Sequence, residues 1–252
     1  MESNEVRHLY TEEYFLNDAT GHYEFSKFDG KFESLIDKFQ MVVDLLKINK
    51  GSSLLDIGCG RGELVIYHSL TGGKAAGVDF SDEAIKLARA KAGELNANPD
   101  FSISSFENIS ENTKYDFIVS IDFIEHISAV EGKAYFKKCY DLLNLGGKLL
   151  VYTFPNTLRR KYGYQIIRII GKLKGKHVPM LEPDTVSDHY RQYHLNEQNY
   201  FSLKKSSRAQ GFNKTEVLYY DSSIKDSFLK SVFVHTPLRH LFLRGLTLIS
   251  TK

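Results

Sequence analysis

The 252 residues contain no tryptophan and only two cysteines. Cys59 and Cys139 make no disulfide framework, so the fold must be held by its core. No apolar run approaches bilayer-spanning length, and Met1 to Tyr10 (MESNEVRHLY) has no apolar signal core. A cytoplasmic setting is expected. Internal repeats and low-complexity tracts are also missing. Disorder is excluded by what is abundant: 17 Phe, 15 Tyr and 42% hydrophobic residues are too many for a solvated coil. The length suits one large domain carrying an insertion.

Acidic residues are scarce in the second part of the chain. Residues 1–150 hold 16 Lys+Arg against 24 Asp+Glu, whereas residues 151–252 hold 17 against 7. Between 157 and 177 there is no acid at all. Leu158, Tyr162, Ile166, Ile169, Ile170 and Leu173 form an apolar helical stripe there, bordered by Arg159, Arg160, Lys161, Arg168, Lys172, Lys174 and Lys176. Such a helix can lie on an anionic membrane surface, cap a site as a lid, or pack its stripe on the domain. Nucleic acid is disfavoured as a partner, because the patch interleaves its cations with aliphatic rather than aromatic residues.

Along the chain, strand and helix patterns alternate. Helical spacing covers residues 32–46. Strands are expected at Ser53–Ile57, Ala75–Val78, Phe101–Ile103, Tyr115–Ile121 and Lys148–Phe154, with helices from Ser81 and over Tyr135–Leu143. Glu197–Ala209 reads as a helix, and Thr215–Tyr220 and Leu241–Thr251 as closing strands. The expected fold is α/β: a doubly wound, mostly parallel, seven-stranded Rossmann-like sheet with an antiparallel last strand and a helical insertion after strand 5. The chain reads as a single domain: cap segment 1–31, core 32–155, basic insertion or lid 156–194, closing helix and strands 195–252. The aromatic-rich cap (Tyr10, Tyr14, Phe15, Tyr23, Phe25) is expected to fold over the mouth of a site.

The first strand runs into Gly58-Cys59-Gly60-Arg61-Gly62. Glycines there let backbone approach a ligand where a Cβ would clash. Asp79 ends the second strand, where an acid can accept both hydroxyls of a ribose. Gly58-x-Gly60-x-Gly62 has the wrong final spacing for the nicotinamide dinucleotide fingerprint. The segments LLDIGCGRGEL (54–64), GVDFS (77–81), YDFIVSIDFIEHI (115–127) and LLNLGGKLLVYTFPN (142–156) resemble, in order and spacing, the motifs of class I S-adenosylmethionine-dependent methyltransferases. The resemblance implies that Gly58, Cys59, Gly60 and Gly62 line the methionine end of that cofactor, Asp79 takes the ribose and Phe80 lies against the adenine. Asp56, Ser105, Phe106 and Ile121 complete the candidate cofactor set; the family often has an acid where this chain has Ser105.

Asp122, Glu125 and His126 follow the fourth strand at a spacing that gathers side chains on one helical face, with His189 and His194 further on. His126, Asp122 and His189 are the candidate catalytic residues, a histidine serving as general base near neutral pH. Asp122, Glu125, His126 and His189 are candidate ligands for a divalent metal such as Mg2+, which would acidify a bound hydroxyl. The run resembles the Glu-x-x-Glu-His of ubiquinone-biosynthesis O-methyltransferases and of small-RNA 2′-O-methyltransferases, with Asp122 one methylene shorter. Glu-His at this place also occurs in methyltransferases that need no metal, where the pair supports the loop. The resemblance implies O-methylation of a small-molecule, glycan or lipid-linked acceptor. The alternatives are a metal-dependent RNA ribose methyltransferase and a non-catalytic protein that binds the cofactor or docks on a membrane.

Overall fold

The computed structural model describes residues 10–19, 21–182, 194–220 and 236–252. Its strands are β1 (Ser53–Ile57), β2 (Lys74–Asp79), β3 (Asp100–Ile103), β4 (Tyr115–Ile121), β5 (Leu143–Thr153), β6 (Lys214–Tyr220) and β7 (Gly245–Thr251). The helices are α1 (His22–Lys27), α2 (Asp37–Leu46), α3 (Glu63–Leu70), α4 (Asp82–Glu94), α5 (Ala129–Leu142), α6 (Tyr164–Leu173), α7 (Tyr200–Arg208) and α8 (Arg239–Phe242). All strands join one sheet in the order β3-β2-β1-β4-β5-β7-β6. β1 to β5 pair in parallel, and β7 runs antiparallel to both of its neighbours. The α/β expectation therefore holds. No helix among the described residues is long and apolar enough to cross a membrane.

Alternation along the central strands places a core on each face. Leu55, Ile57, Ile118, Leu149 and Val151 pack with Tyr135, Phe136 and Cys139 of α5 and Leu203 of α7. On the other face Leu54, Phe117, Val119 and Leu150 meet Val42 and Leu46 of α2 and Leu64 of α3. A parallel sheet covered on both sides needs strands that are apolar throughout, which is why these segments read as continuous hydrophobic runs.

Several boundaries differ from the sequence expectation, each for a local reason. The 32–46 stripe is interrupted: Phe32–Ser34 is a short 3-10 turn, and Ile36 is extended (ψ 154°) as the cap of α2. α5 begins six residues earlier than its apolar pattern, because Ser128 and Glu131 form a reciprocal capping box. Ser81 caps α4 as expected, its hydroxyl accepting from Ala84 N–H at 3.2 Å. Leu241–Thr251 is not all strand, since its first residues belong to α8. The two closing strands form an antiparallel pair at the sheet's end, with β7 inserted between β5 and β6.

Strand order reverses between β1 and β4, so the crevice beyond their carboxyl ends is where an open sheet of this kind offers a ligand site.

Candidate active site

Two cavities occupy that crevice and share Gly58 in their walls. One, of about 240 Å3, is lined by Asp79, Phe80, Ser105, Phe106 and Phe123 among others. The second, of about 130 Å3, is lined by Asp56, Cys59, Gly60, Ile121, Asp122 and His126, with Tyr14, Phe15, Ile36 and Lys38 opposite. Nine of the ten candidate cofactor residues thus face one or other cavity.

Gly62 is the tenth. It starts α3 with φ 78°, and a Cβ there would sit 2.5 Å from Phe101 Cζ. Its glycine is explained by helix–sheet packing.

The turn itself is held from β2. Gly58 N–H and Cys59 N–H both donate to Val78 O, at 2.8 and 3.1 Å. Asp79 accepts from Gly60 N–H (3.0 Å) and Ser81 N–H (2.9 Å). Gly60 has φ 52°, and a Cβ on it would meet only a Phe15 ring carbon at 4.0 Å. A ligand can therefore come down onto bare backbone at this point. Asp56 Oδ1 is buried and has no hydrogen-bond partner among the described residues, an unmet acceptor at the cavity wall. These features fit the S-adenosylmethionine that the sequence resemblance implies.

Burial, reinforced by the charges of Asp79 and Glu63, pushes the Asp56 carboxyl up to about 8. Asp56 then stays protonated in the folded chain while its unfolded counterpart ionises above its ordinary 3.8. Stability is accordingly lost as pH rises between these values. Asp56→Asn is expected to raise Tm by several degrees at about pH 8 and to leave it nearly unchanged at about pH 4, as read by thermal unfolding at both.

The acidic cluster separates on folding. Asp122 adopts a left-handed backbone (φ 51°), uncommon for a non-glycine residue and often seen at functional sites, and pairs with Lys38 of α2. Glu125 turns the other way and is 1% exposed. Its carboxylate accepts from Thr153 Oγ1 at 2.8 Å and Phe154 N–H at 3.4 Å, and its carbonyl accepts from Leu195 and Asn196 N–H. Burial and the Asp122 charge push the Glu125 carboxyl up to about 8. Glu125 ties the β4 loop to β5, and among the described residues no three His, Cys, Asp or Glu gather to hold an ion. His189 lies outside the described residues.

His126 faces the cavity and packs edge-on against His194, ring centroids 5.0 Å apart. His194 is held down to about 3 by burial, and then by His126 and Arg160, so it is a neutral neighbour near pH 7. The Cys59 thiol is pushed up by burial and does not supply a nucleophile.

The aromatic cap meets these cavities through particular contacts. Tyr10 packs edge-on to Phe80 (5.0 Å) and to His126 (6.2 Å), and its carbonyl accepts from Ser81 Oγ at 3.3 Å. Tyr14 lines the second cavity, its hydroxyl pushed up to about 12 by burial and by Asp122. Arg61 donates to Phe15 O at 2.8 Å and pairs with Glu63 at 3.1 Å, both side chains 5% exposed. The cap is thereby fastened to the glycine turn.

The basic insertion also sorts itself. Arg159 and Arg160 are bound to Glu182 and Glu197, whereas Lys161, Lys172, Lys174 and Lys176 are exposed. The apolar stripe is largely outward, with Ile169 59% and Leu173 83% exposed.

Residues 16–170 match the family described as mycolic acid cyclopropane synthetase. A ubiquinone biosynthesis O-methyltransferase of Chelativorans sp. (strain BNC1) is 31% identical over 111 residues, 44% of this chain and 43% of that protein. A probable fatty acid methyltransferase of Pseudomonas putida is 29% identical over 145 residues, 56% of this chain and 36% of the relative. The chain spans about half or less of such relatives. Among solved structures, a mycolic acid cyclopropane synthase complexed with SAH and CTAB superimposes with TM-score 0.62 at 16% identity, covering 87% of this chain and 85% of the other. A magnesium protoporphyrin IX methyltransferase from Synechocystis PCC 6803 with bound SAH gives TM-score 0.56 at 18% identity, covering 99% of each. These likenesses show a shared fold.

Proposed function

Since the chain belongs to the mycolic acid cyclopropane synthetase family, its match running over residues 16–170, we propose that it is an S-adenosylmethionine-dependent methyltransferase that methylates an oxygen of a small-molecule, glycan or lipid-linked acceptor. The observation that carries this reading is the pair of cavities on either side of Gly58, with Asp79 lining one and Asp122 and His126 lining the other. The relatives named above favour small-molecule and lipid acceptors over RNA.

When bound, S-adenosylmethionine supplies an electrophilic methyl group: the acceptor oxygen's lone pair forms the C–O bond as the C–S bond breaks onto sulfur, leaving a neutral thioether. The chain's own residues position and deprotonate. Asp79 accepts from the ribose hydroxyls, and the Gly58–Gly60 backbone leaves room beside the reacting end. Phe80 and Phe106 wall the adenine side, with Ser105 a neutral acceptor at its edge. His126 takes the acceptor hydroxyl proton, and Asp122, held by Lys38, stabilises the imidazolium that results. Calorimetric titration tests the reading: S-adenosylmethionine and SAH bind and NADH does not, with magnesium making no difference. A folded sample that binds neither overturns it.

The outward stripe of α6 favours docking on an anionic membrane surface. Exposed isoleucines and leucine gain from entering the headgroup region, and four exposed lysines beside them add about 1 kcal/mol each near such a surface. Ile166→Glu combined with Ile170→Glu should abolish co-sedimentation with phosphatidylglycerol vesicles while cofactor affinity is kept. Unchanged sedimentation would sink the docking reading.

A further inference from the structure

Beyond the second cavity lies a wider groove of about 630 Å3, and the two share Ile36 and Lys38 as a common wall. The groove runs between the cap, α2, and the carboxyl ends of β5 and β6. A molecule seated in it reaches the transfer site past Lys38. The Lys38 ammonium is 5.1 Å from the centroid of the Tyr152 ring and is paired with Asp122.

The walls have a definite chemistry. Tyr152 and Tyr220 stand edge-to-face, centroids 5.8 Å apart, and Tyr23 lines the groove from α1. Lys27 lies over the Tyr23 ring, 3.9 Å from its centroid, and Tyr152 is 5% exposed beneath Lys38. Tyr220 and the exposed edge of Tyr23 are therefore what the groove offers to a ring that has both C–H faces and hydroxyl edges. Glu24, Glu33 and Asp37 add acceptors, and Gln40 adds an amide whose Nε2 is already spent on Leu35 O at 2.7 Å. Of the two cations in the lining, Lys38 is committed to Asp122, and Lys27 donates to the Tyr23 hydroxyl at 2.6 Å.

Acceptors and carboxylates therefore outnumber available cations. A hydrocarbon chain laid here would desolvate carboxylates without replacing their hydrogen bonds. A phosphorylated or carboxylated ligand would meet the carboxylates of Glu24, Glu33 and Asp37 against the one ammonium of Lys27 that no carboxylate pairs.

We infer that the groove seats a neutral or amino-bearing sugar ring, and that a hydroxyl of this ring, directed past Lys38, is the methyl acceptor. The inference rests on the methyltransferase reading and narrows its acceptor; the transfer step is the one written above. It departs from the fatty acid named for one of the relatives.

The test uses the full chain saturated with SAH, titrated calorimetrically with methyl β-glucoside, glucosamine, glucose 6-phosphate and oleate. Methyl glucoside and glucosamine bind and compete with one another. Tyr220→Ala and Tyr23→Ala each weaken them about three- to tenfold, the range of one aromatic contact, while SAH affinity is unchanged. Tyr23 is 61% exposed, so its removal leaves the fold intact. Glucose 6-phosphate binds more weakly than methyl glucoside. Sugar binding indifferent to both tyrosines, no sugar binding at all, or oleate binding that the tyrosine variants abolish would each overturn the inference. Failure of SAH to bind a folded sample is a different result, and it overturns the cofactor reading instead.

Discussion

Arg61→Ala is expected to cost about 3–5 kcal/mol of folding stability, the range for stripping one partner from a buried ion pair. Glu63 is as buried as Arg61. Burial already pushes its carboxyl upward, with Arg61 the largest influence holding it down. Without the guanidinium, Glu63 stays protonated in the folded chain to higher pH. The loss is therefore largest above the folded value and shrinks as pH falls towards the ordinary carboxylate range. Chemical denaturation at about pH 5 and pH 8 reads this directly. Arg61→Met with Glu63→Leu recovers most of the loss, because removing both charges leaves neither stranded. The double variant still lacks the bond to Phe15 O, so its cap is loosened, and protease cleavage near residues 10–19 accelerates in it as well. Equal losses at the two pH values would mean that Glu63 finds another partner.

Asp79→Asn is expected to lower S-adenosylmethionine affinity about 100-fold, with a matching fall in kcat/KM. An ionised carboxylate offers about four acceptor sites. Gly60 and Ser81 N–H use two and Phe80 N–H also bonds the group, leaving at least one for a ribose hydroxyl. Hydrogen bonds to a charged group are worth about 1.5–3 kcal/mol each, and an amide replaces one acceptor by a donor that faces backbone N–H or ligand O–H. Because Asp79 also holds the turn, the control is Ser105→Ala at the other side of the cavity, where a neutral hydroxyl is removed and a loss of only a few-fold is expected. Affinity unchanged by Asp79→Asn would place the ribose elsewhere.

Local signals in the sequence were sufficient for most of the fold. Each strand's apolar run and each glycine or cap that ends it lie within about ten residues of one another, so period and punctuation report them. The glycine turn and Asp79 were legible for the same reason. The order of the last two strands was not: β6 and β7 have similar patterns, and nothing in either says which lies beside β5. The site was legible by halves. Asp122, Glu125 and His126 are close in sequence, and spacing alone treats them as one face. The left-handed turn at Asp122 sends it towards Lys38 while Glu125 goes to Thr153, partners 84 and 28 residues distant. Nothing in the sequence pairs Arg61 with Glu63 or with the cap; only the fold shows both side chains buried and Arg61 bonded to Phe15 O. The tyrosine groove was equally silent, because its walls come from α1, α2, β5 and β6.

The ring of Tyr10 touches Phe80 at one end of the paired cavities and His126 at the other. A cover that bridges both ends gives the proposed enzyme a residence time. Tyr10 meets Tyr14, Phe15 and Phe80 by ring contacts, each worth about 0.5–1.5 kcal/mol. Parting all three before a nucleoside leaves slows its escape by roughly a hundredfold relative to an uncovered crevice. In the proposed enzyme, spent cofactor would leave more slowly by that factor, whatever the pace of methyl transfer itself.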